Sequence, residues 1–120
     1  MGKHNEFGKE GEEIAANFLI EKGYTIKCKN YRHLKSEIDI IAQKGDILAI
    51  VEVRARSTDH IIPIAATITQ KKIKLLVWGA NHYVTSHNLD DVEVRFDVIT
   101  ILKNSSVFEI EHLESAFYHF

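Results

Sequence analysis

Four ionisable side chains interrupt an otherwise apolar stretch, EIDIIAQKGDILAIVEVR, residues 37–54: Glu37, Asp39, Glu52 and Arg54. The three acids are the residues here with types and spacing suited to chemistry. Carboxylates facing each other across a sheet repel, and a buried one without compensation costs more still. Something positive must lie between Asp39 and Glu52. A hard divalent cation would serve, since Mg²⁺ is commonly held by one or two carboxylates, with water and phosphate oxygens completing its shell. A solvated rim in which Arg54 neutralises Glu37 would serve as well, and the hairpin alone does not decide between them.

The elements that position these groups follow from pattern. Successive strand side chains alternate between faces, so Glu37, Asp39 and Ile41 share one face of residues 37–43, and Leu48, Ile50, Glu52 and Arg54 share one face of 47–54. A turn centred on Lys44 and Gly45 would slide the pairs but keep all four residues on one face. A three-residue loop would put Asp39 and Glu52 on opposite faces. A two-residue turn at Gly45 and Asp46 pairs 44 with 47. Extended, that register sets Asp39 opposite Glu52 and Glu37 opposite Arg54. Ile38, Ile40, Val51 and Val53 cover the other face, so the hairpin is apolar on both sides near its turn, as in a sheet covered twice.

Around the hairpin, Phe7, Gly11, Ile14, Ala15, Phe18 and Leu19 recur at helical spacing and Gly23 stops the pattern, predicting a helix over 7–21. Residues 24–31 (YTIKCKNY) alternate as a strand near a sheet edge. RARSTDHIIP reads as a loop. In TITQ a hydroxyl and Gln70 stand at capping-box spacing, which starts a second helix near Thr67. Its buried stripe is Ile73, Leu76, Val77, Ala80, Tyr83 and Val84, with Trp78 off that stripe. TSHNLDD is a loop, 92–102 and 107–113 are strands, and the tail ESAFYHF is expected to dock aromatic rings on the core. Helix, three strands, helix, two strands indicates an α/β fold with a mixed sheet and a helical crossover.

The 120 residues, 45% apolar and 27% charged, suit a single globular domain over 1–120. One cysteine, Cys28, fits a reducing compartment. No signal-peptide pattern opens the chain and no run approaches the roughly 20 apolar residues of a membrane span, so a soluble cytoplasmic protein without membrane contact is expected. Net charge is −2, and so composition does not point to nucleic acid. Basic residues nonetheless cluster locally: Lys27, Lys29, Arg32, His33 and Lys35, then Arg54 and Arg56, then Lys71, Lys72 and Lys74. Such blocks are solvated faces or phosphate-binding surfaces. The seven histidines lack paired zinc-ligand spacing and read as surface or core residues.

GKEGEEIAANFLIEKGY, NYRHLKSEIDIIA, VEVRAR, RFDVI and EHLESAF occur in this order over nearly the whole chain, and in them the sequence resembles the YraN family of small uncharacterised bacterial proteins. That family resembles the restriction-endonuclease-like PD-(D/E)XK nucleases, in particular Holliday-junction resolvases. The resemblance implies a central mixed sheet of about five strands flanked by helices, with a metal site at one end of the second and third strands. Asp39 matches the superfamily's metal-binding aspartate, Glu52 its second acidic ligand, Arg54 the position usually held by lysine, and Glu12 the helical glutamate. Glu37 is an additional metal-side carboxylate; Arg56, Lys71 and Arg95 match basic positions. The sequence departs from the pattern at Ile38, in place of proline, at Ser36, where the family usually has glycine, and at Arg54, which stays protonated and cannot act as a base. On a helical wheel Glu12 lies about 20° from Leu19, at the edge of the buried stripe, whereas Glu13 points away. Arg95 and Asp97 share a strand face and read as an ion pair.

The function this implies is Mg²⁺- or Mn²⁺-dependent hydrolysis of phosphodiesters in DNA, branched or otherwise structured. Asp39 and Glu52 would hold the metal, and Arg54 and Glu12 would assist. Arg32, Lys35, Arg56 and Lys71 would grip the backbone. A homodimer is an expectation taken from the resolvases. A catalytically silent nucleic-acid-binding module and a protein-interaction domain remain the alternatives.

Overall fold

A computed structural model describes residues 2–57 and 68–117, the side chains of 2–7 and 57 excepted. Gly45 and Asp46 form the turn of the central hairpin, with Lys44 opposite Ile47. Around it run α1 (Gly2–Glu21), β1 (Thr25–His33), β2 (Ser36–Lys44), β3 (Ile47–Ser57), α2 (Gln70–Ser86), β4 (Glu93–Asn104) and β5 (Val107–Leu113). The sheet order is β1-β2-β3-β4-β5. Only the β3–β4 pairing is parallel, as expected where a helix makes the crossover between them.

The two helices cover opposite faces. Ala15, Ala16 and Leu19 of α1 pack on Ile40, Ala42, Ala49, Val51, Ile99 and Ile101. Leu76, Ala80 and Tyr83 of α2 pack on Ile38, Ile41, Leu48 and Ile50. Each fully buried leucine or isoleucine contributes about 1.5–3 kcal/mol. Both helices come close through a glycine. A Cβ on Gly11 would lie 2.9 Å from Ala55 Cβ, and one on Gly79 would lie 3.0 Å from Ser36 Cβ and 3.1 Å from Ile38 Cδ1.

Several boundaries move. Helix α2 begins at Gln70, and its N-cap is Thr69, whose side chain accepts the Lys72 N–H at 3.1 Å. The capping partner is therefore a backbone amide rather than Gln70; Thr67 and Pro63 lie outside the described residues. Part of the expected RARSTDHIIP loop is strand, because parallel pairing with β4 carries β3 on to Ser57. In the tail, Phe117 stacks on Phe96 with centroids 5.4 Å apart; 118–120 lie outside the described residues.

Alternation also fails at one place. Ile38 and Ile40, two residues apart on β2, belong to different core layers. Cys28 and Tyr31 on β1 both face the α2 layer although their spacing is odd. Between them Asn30 has φ 55°, a left-handed conformation that asparagine tolerates better than most residues. Asn30 and Asp39 lie at the same level of the β1–β2 ladder, between the pairs Lys29↔Ile40 and Tyr31↔Ile38. Both strands change face there. Ile38 therefore covers the α2 face, not the one expected for it.

Ser36 is buried, and its Oγ donates to the Leu75 carbonyl at 2.6 Å. The departure from glycine thus ties the hairpin tip to α2 through a hydrogen bond that glycine cannot make.

On the neighbouring strand β4, opposite Val51, fully buried Asp97 is held by Arg95 (2.8 and 2.9 Å), the Ser115 N–H (3.1 Å) and His112 Nε2 (2.8 Å). Lys22 Nζ lies 2.8 Å from His112 Nδ1. An ammonium only donates, so Nδ1 accepts and Nε2 carries the proton towards Asp97. Burial pushes the Asp97 carboxyl up, but the bonds from His112, Arg95 and Ser115 outweigh it and hold the group below its usual range. The expected Arg95–Asp97 ion pair is present, and it pins β4 to β5 and the chain end. Removing one partner of such a buried pair leaves the others uncompensated. Asp97→Ala is therefore expected to lower unfolding stability by about 3–5 kcal/mol, read as a shift in the urea midpoint.

Candidate functional site

The strand that carries Asp39 stops pairing just where its acid begins. The β2–β3 ladder runs from Lys44↔Ile47 to Ile40↔Val51 and ends there. Asp39 Oδ2 instead accepts the Val53 N–H at 2.8 Å, standing in for a main-chain carbonyl. Glu52 keeps the face of Leu48 and Ile50 and is 5% exposed. Its Oε2 is 3.0 Å from Arg54 Nη2 and 3.7 Å from Lys72 Nζ. Its Oε1 is buried and receives no hydrogen bond among the described residues. With Asp39 and Glu52 both ionised, neither offers a donor; a proton on one of them joins the pair.

This crowding controls their acidity. Burial first, then the charge of Asp39, pushes Glu52 up to about 7, against the pull of Lys72 and Arg54. Asp39 is raised mainly by burial, opposed by the Val53 N–H and the Lys72 charge. Glu12, half-buried on α1, is raised by burial and then by Asp39, while a hydrogen bond with Asn30 lowers it. Asn30, left-handed at the face change, thus reaches the helical acid of the same site. The wheel placed Glu12 at the edge of the buried stripe and Glu13 outside, and Glu12 is partly buried and Glu13 exposed.

Not every expected residue joins. Glu37 is not opposite Arg54; it pairs with Arg32 on β1 at 3.4 Å, half-exposed, and affects Asp39 and Glu12 only through its charge. The ladder ends before it could reach β3, so the register that extended the pairing to Glu37 does not hold. Arg54 turns to Glu52 on its own strand instead. Lys35 and Lys71 are exposed and Arg56 is half-buried. Among the described residues no three acids, histidines or cysteines converge as a metal cluster. Lys72 is the contributor the sequence reading passed over in favour of Lys71. It stands one helical turn before Leu76, on the inward stripe, and that spacing was the available signal.

A mixed sheet between two helices, with two touching carboxyls where its central hairpin opens, defines an α/β protein with an acid-pair site. The chain belongs to the uncharacterised protein family UPF0102, which it matches over residues 11–101. It is 48% identical to a UPF0102 protein of Flavobacterium psychrophilum and 47% identical to one of Christiangramia forsetii, each over the full length of both chains. A UPF0102 protein of Phocaeicola vulgatus is 42% identical over 98% of this chain and 97% of its own.

The raised pKa of Glu52 has a signed consequence. The folded protein holds a proton that the unfolded chain releases at about pH 4.3, so stability falls as pH rises from there to about 7. Glu52→Gln keeps the shape and cannot ionise. The stability of this variant relative to wild type is expected to rise across that window by up to about 3 kcal/mol, measured by urea unfolding at a series of pH values. A difference that stays flat would mean that Glu52 titrates as an ordinary exposed acid.

Proposed function

We propose that this protein is a divalent-metal-dependent endonuclease that hydrolyses DNA phosphodiesters, with branched or otherwise structured DNA as its substrate class. The observation that carries the reading is the Asp39–Glu52 contact, in which a buried oxygen of Glu52 lacks a donor. Two carboxyls from neighbouring strands, one oxygen unsatisfied and both acids raised by burial, suit a hard cation such as Mg²⁺ or Mn²⁺. Glu12, which feels the Asp39 charge from α1, would assist from outside the pair.

Such a cation, when bound, polarises the phosphoryl group and lowers the pKa of the attacking water. The chain's own groups do the rest. Asp39 and Glu52 give up their shared proton to bind, so metal uptake releases protons near neutral pH. Arg54 and Lys72 hold Glu52 Oε2 in place and present positive charge to a phosphate. Arg54 cannot take a proton from water, so its role is to stabilise charge developing on the phosphate. Arg32, Lys35, Arg56 and Lys71 contact the backbone without reading sequence.

One observation favours the silent binding module as a second reading: Glu52 is already neutralised by two cations of the protein itself. Cleavage assays on four-way junctions and linear duplexes separate the two. Mg²⁺- or Mn²⁺-dependent cleavage, reduced at least about a hundredfold in Asp39→Ala, is expected from losing a metal ligand. Salt-sensitive binding without cleavage would support the module. Calorimetric titration with Mn²⁺ gives an independent readout: heats that vary with buffer ionisation for wild type and vanish in Asp39→Ala. Equal heats from both proteins would remove the metal from the reading.

A further inference from the structure

Helix α2 has Lys71, Lys72 and Lys74 near its start and no carboxylate anywhere in Gln70–Ser86. The macrodipole is positive at a helix start and favours acids there, so these lysines oppose the helix's own preference. Lys72 is compensated by Glu52. Lys71 and Lys74 are exposed to solvent. At helical spacing on the same outer side come Trp78 and His82. Trp78 is the only tryptophan and is 61% exposed. The His82 ring stacks on His33 at 3.5 Å, and its Nδ1 lies 2.6 Å from Tyr31 Oη. These contacts continue the aromatic surface onto the β1–β2 hairpin, next to exposed Lys35. A wet indole between lysines and stacked rings serves neither the core nor the helix.

We propose that this stripe binds an unpaired segment of DNA, with phosphates on Lys71 and Lys74 and a base stacked on Trp78. Lysines that follow a backbone, combined with an aromatic face that accepts any base, are how single strands are held without sequence preference. The cationic stripe excludes an acidic partner's opposite, a basic protein surface, and a duplex hides the base faces that Trp78 would stack. The stripe also leads to the acid pair: six residues of helix, about 9 Å, separate Lys72 from Trp78. The inference rests on the nuclease reading and narrows its substrate to DNA with a single-stranded segment beside the bond to be cut.

The test uses the single tryptophan. Wild-type protein in EDTA is titrated with an unlabelled dT12 oligonucleotide, a 12-base-pair duplex and a U12 oligonucleotide, following tryptophan emission. Saturable, salt-sensitive quenching is expected with dT12 and little with the duplex. By anisotropy with labelled dT12, Trp78→Ala should bind about 5- to 100-fold more weakly. Trp78→Phe, which keeps a stacking ring, should recover most of that loss, and Lys71→Ala with Lys74→Ala should flatten the salt dependence. No quenching by dT12, stronger binding of the duplex or of U12, or equal affinities for wild type and Trp78→Ala would each overturn the proposal. Failure here is distinct from failure of the nuclease reading. Junction cleavage that is unchanged by Trp78→Ala sinks the stripe alone, whereas dT12 quenching without any metal-dependent cleavage sinks the nuclease and leaves the stripe standing.

Discussion

Two carboxyls in contact at the opening of a hairpin are the constraint around which the rest of this protein is arranged. Asp39 and Glu52 repel when both are ionised, and burial makes that repulsion hard to screen. The surroundings relieve it in three ways: β2 leaves the ladder so that Asp39 takes an amide of β3, Arg54 and Lys72 neutralise one oxygen of Glu52, and the pair retains protons towards neutral pH. Neither the amide nor the two cations satisfies Glu52 Oε1. It is this unsatisfied oxygen that the proposed cation would meet.

The contrast with Asp97 makes this specific. Both acids are buried, and both sit beside an arginine on the same strand. Asp97 receives hydrogen bonds from a guanidinium, an imidazole and a main-chain amide, and its acidity is strengthened. Glu52 receives two cations on one oxygen and no donor on the other, and burial together with the Asp39 charge weakens its acidity. The first arrangement is a structural joint, complete as it stands. The second leaves an oxygen of Glu52 without a donor, which is why the proposed chemistry is placed on Glu52 and not on Asp97.

The face change at Asn30 and Asp39 links fold to site. A regular β2 would place Ile38 and Ile40 in one layer and aim Asp39 squarely at the other. With the switch, Ile38 and Ser36 anchor the hairpin on α2 while Ile40 stays under α1, and Asp39 is left between the two helices. It is then within electrostatic reach of Glu12 on α1 and Lys72 on α2. The gap is also where the first turn of α2 arrives, bringing Lys72 to the acids.

Much of this was legible in the residues. Helical periodicity located both helices, alternation located the strands, and the two-residue turn set a register that holds over five pairs of the central hairpin. The Arg95–Asp97 ion pair follows from parity and the place of Glu12 at the edge of the buried stripe from helical period, both local properties of a chain. Asp39, by contrast, meets Glu52 beyond the end of the ladder that the register predicted. Tertiary structure decided where that regularity stops. Glu37 turned to Arg32, Arg54 turned to Glu52, and Lys72 rather than Lys71 entered the site, because each choice depends on the kink at Asn30 and on how far α2 stands from the sheet. Periodicity assigns a side chain to a face; only packing determines which partner on that face it meets.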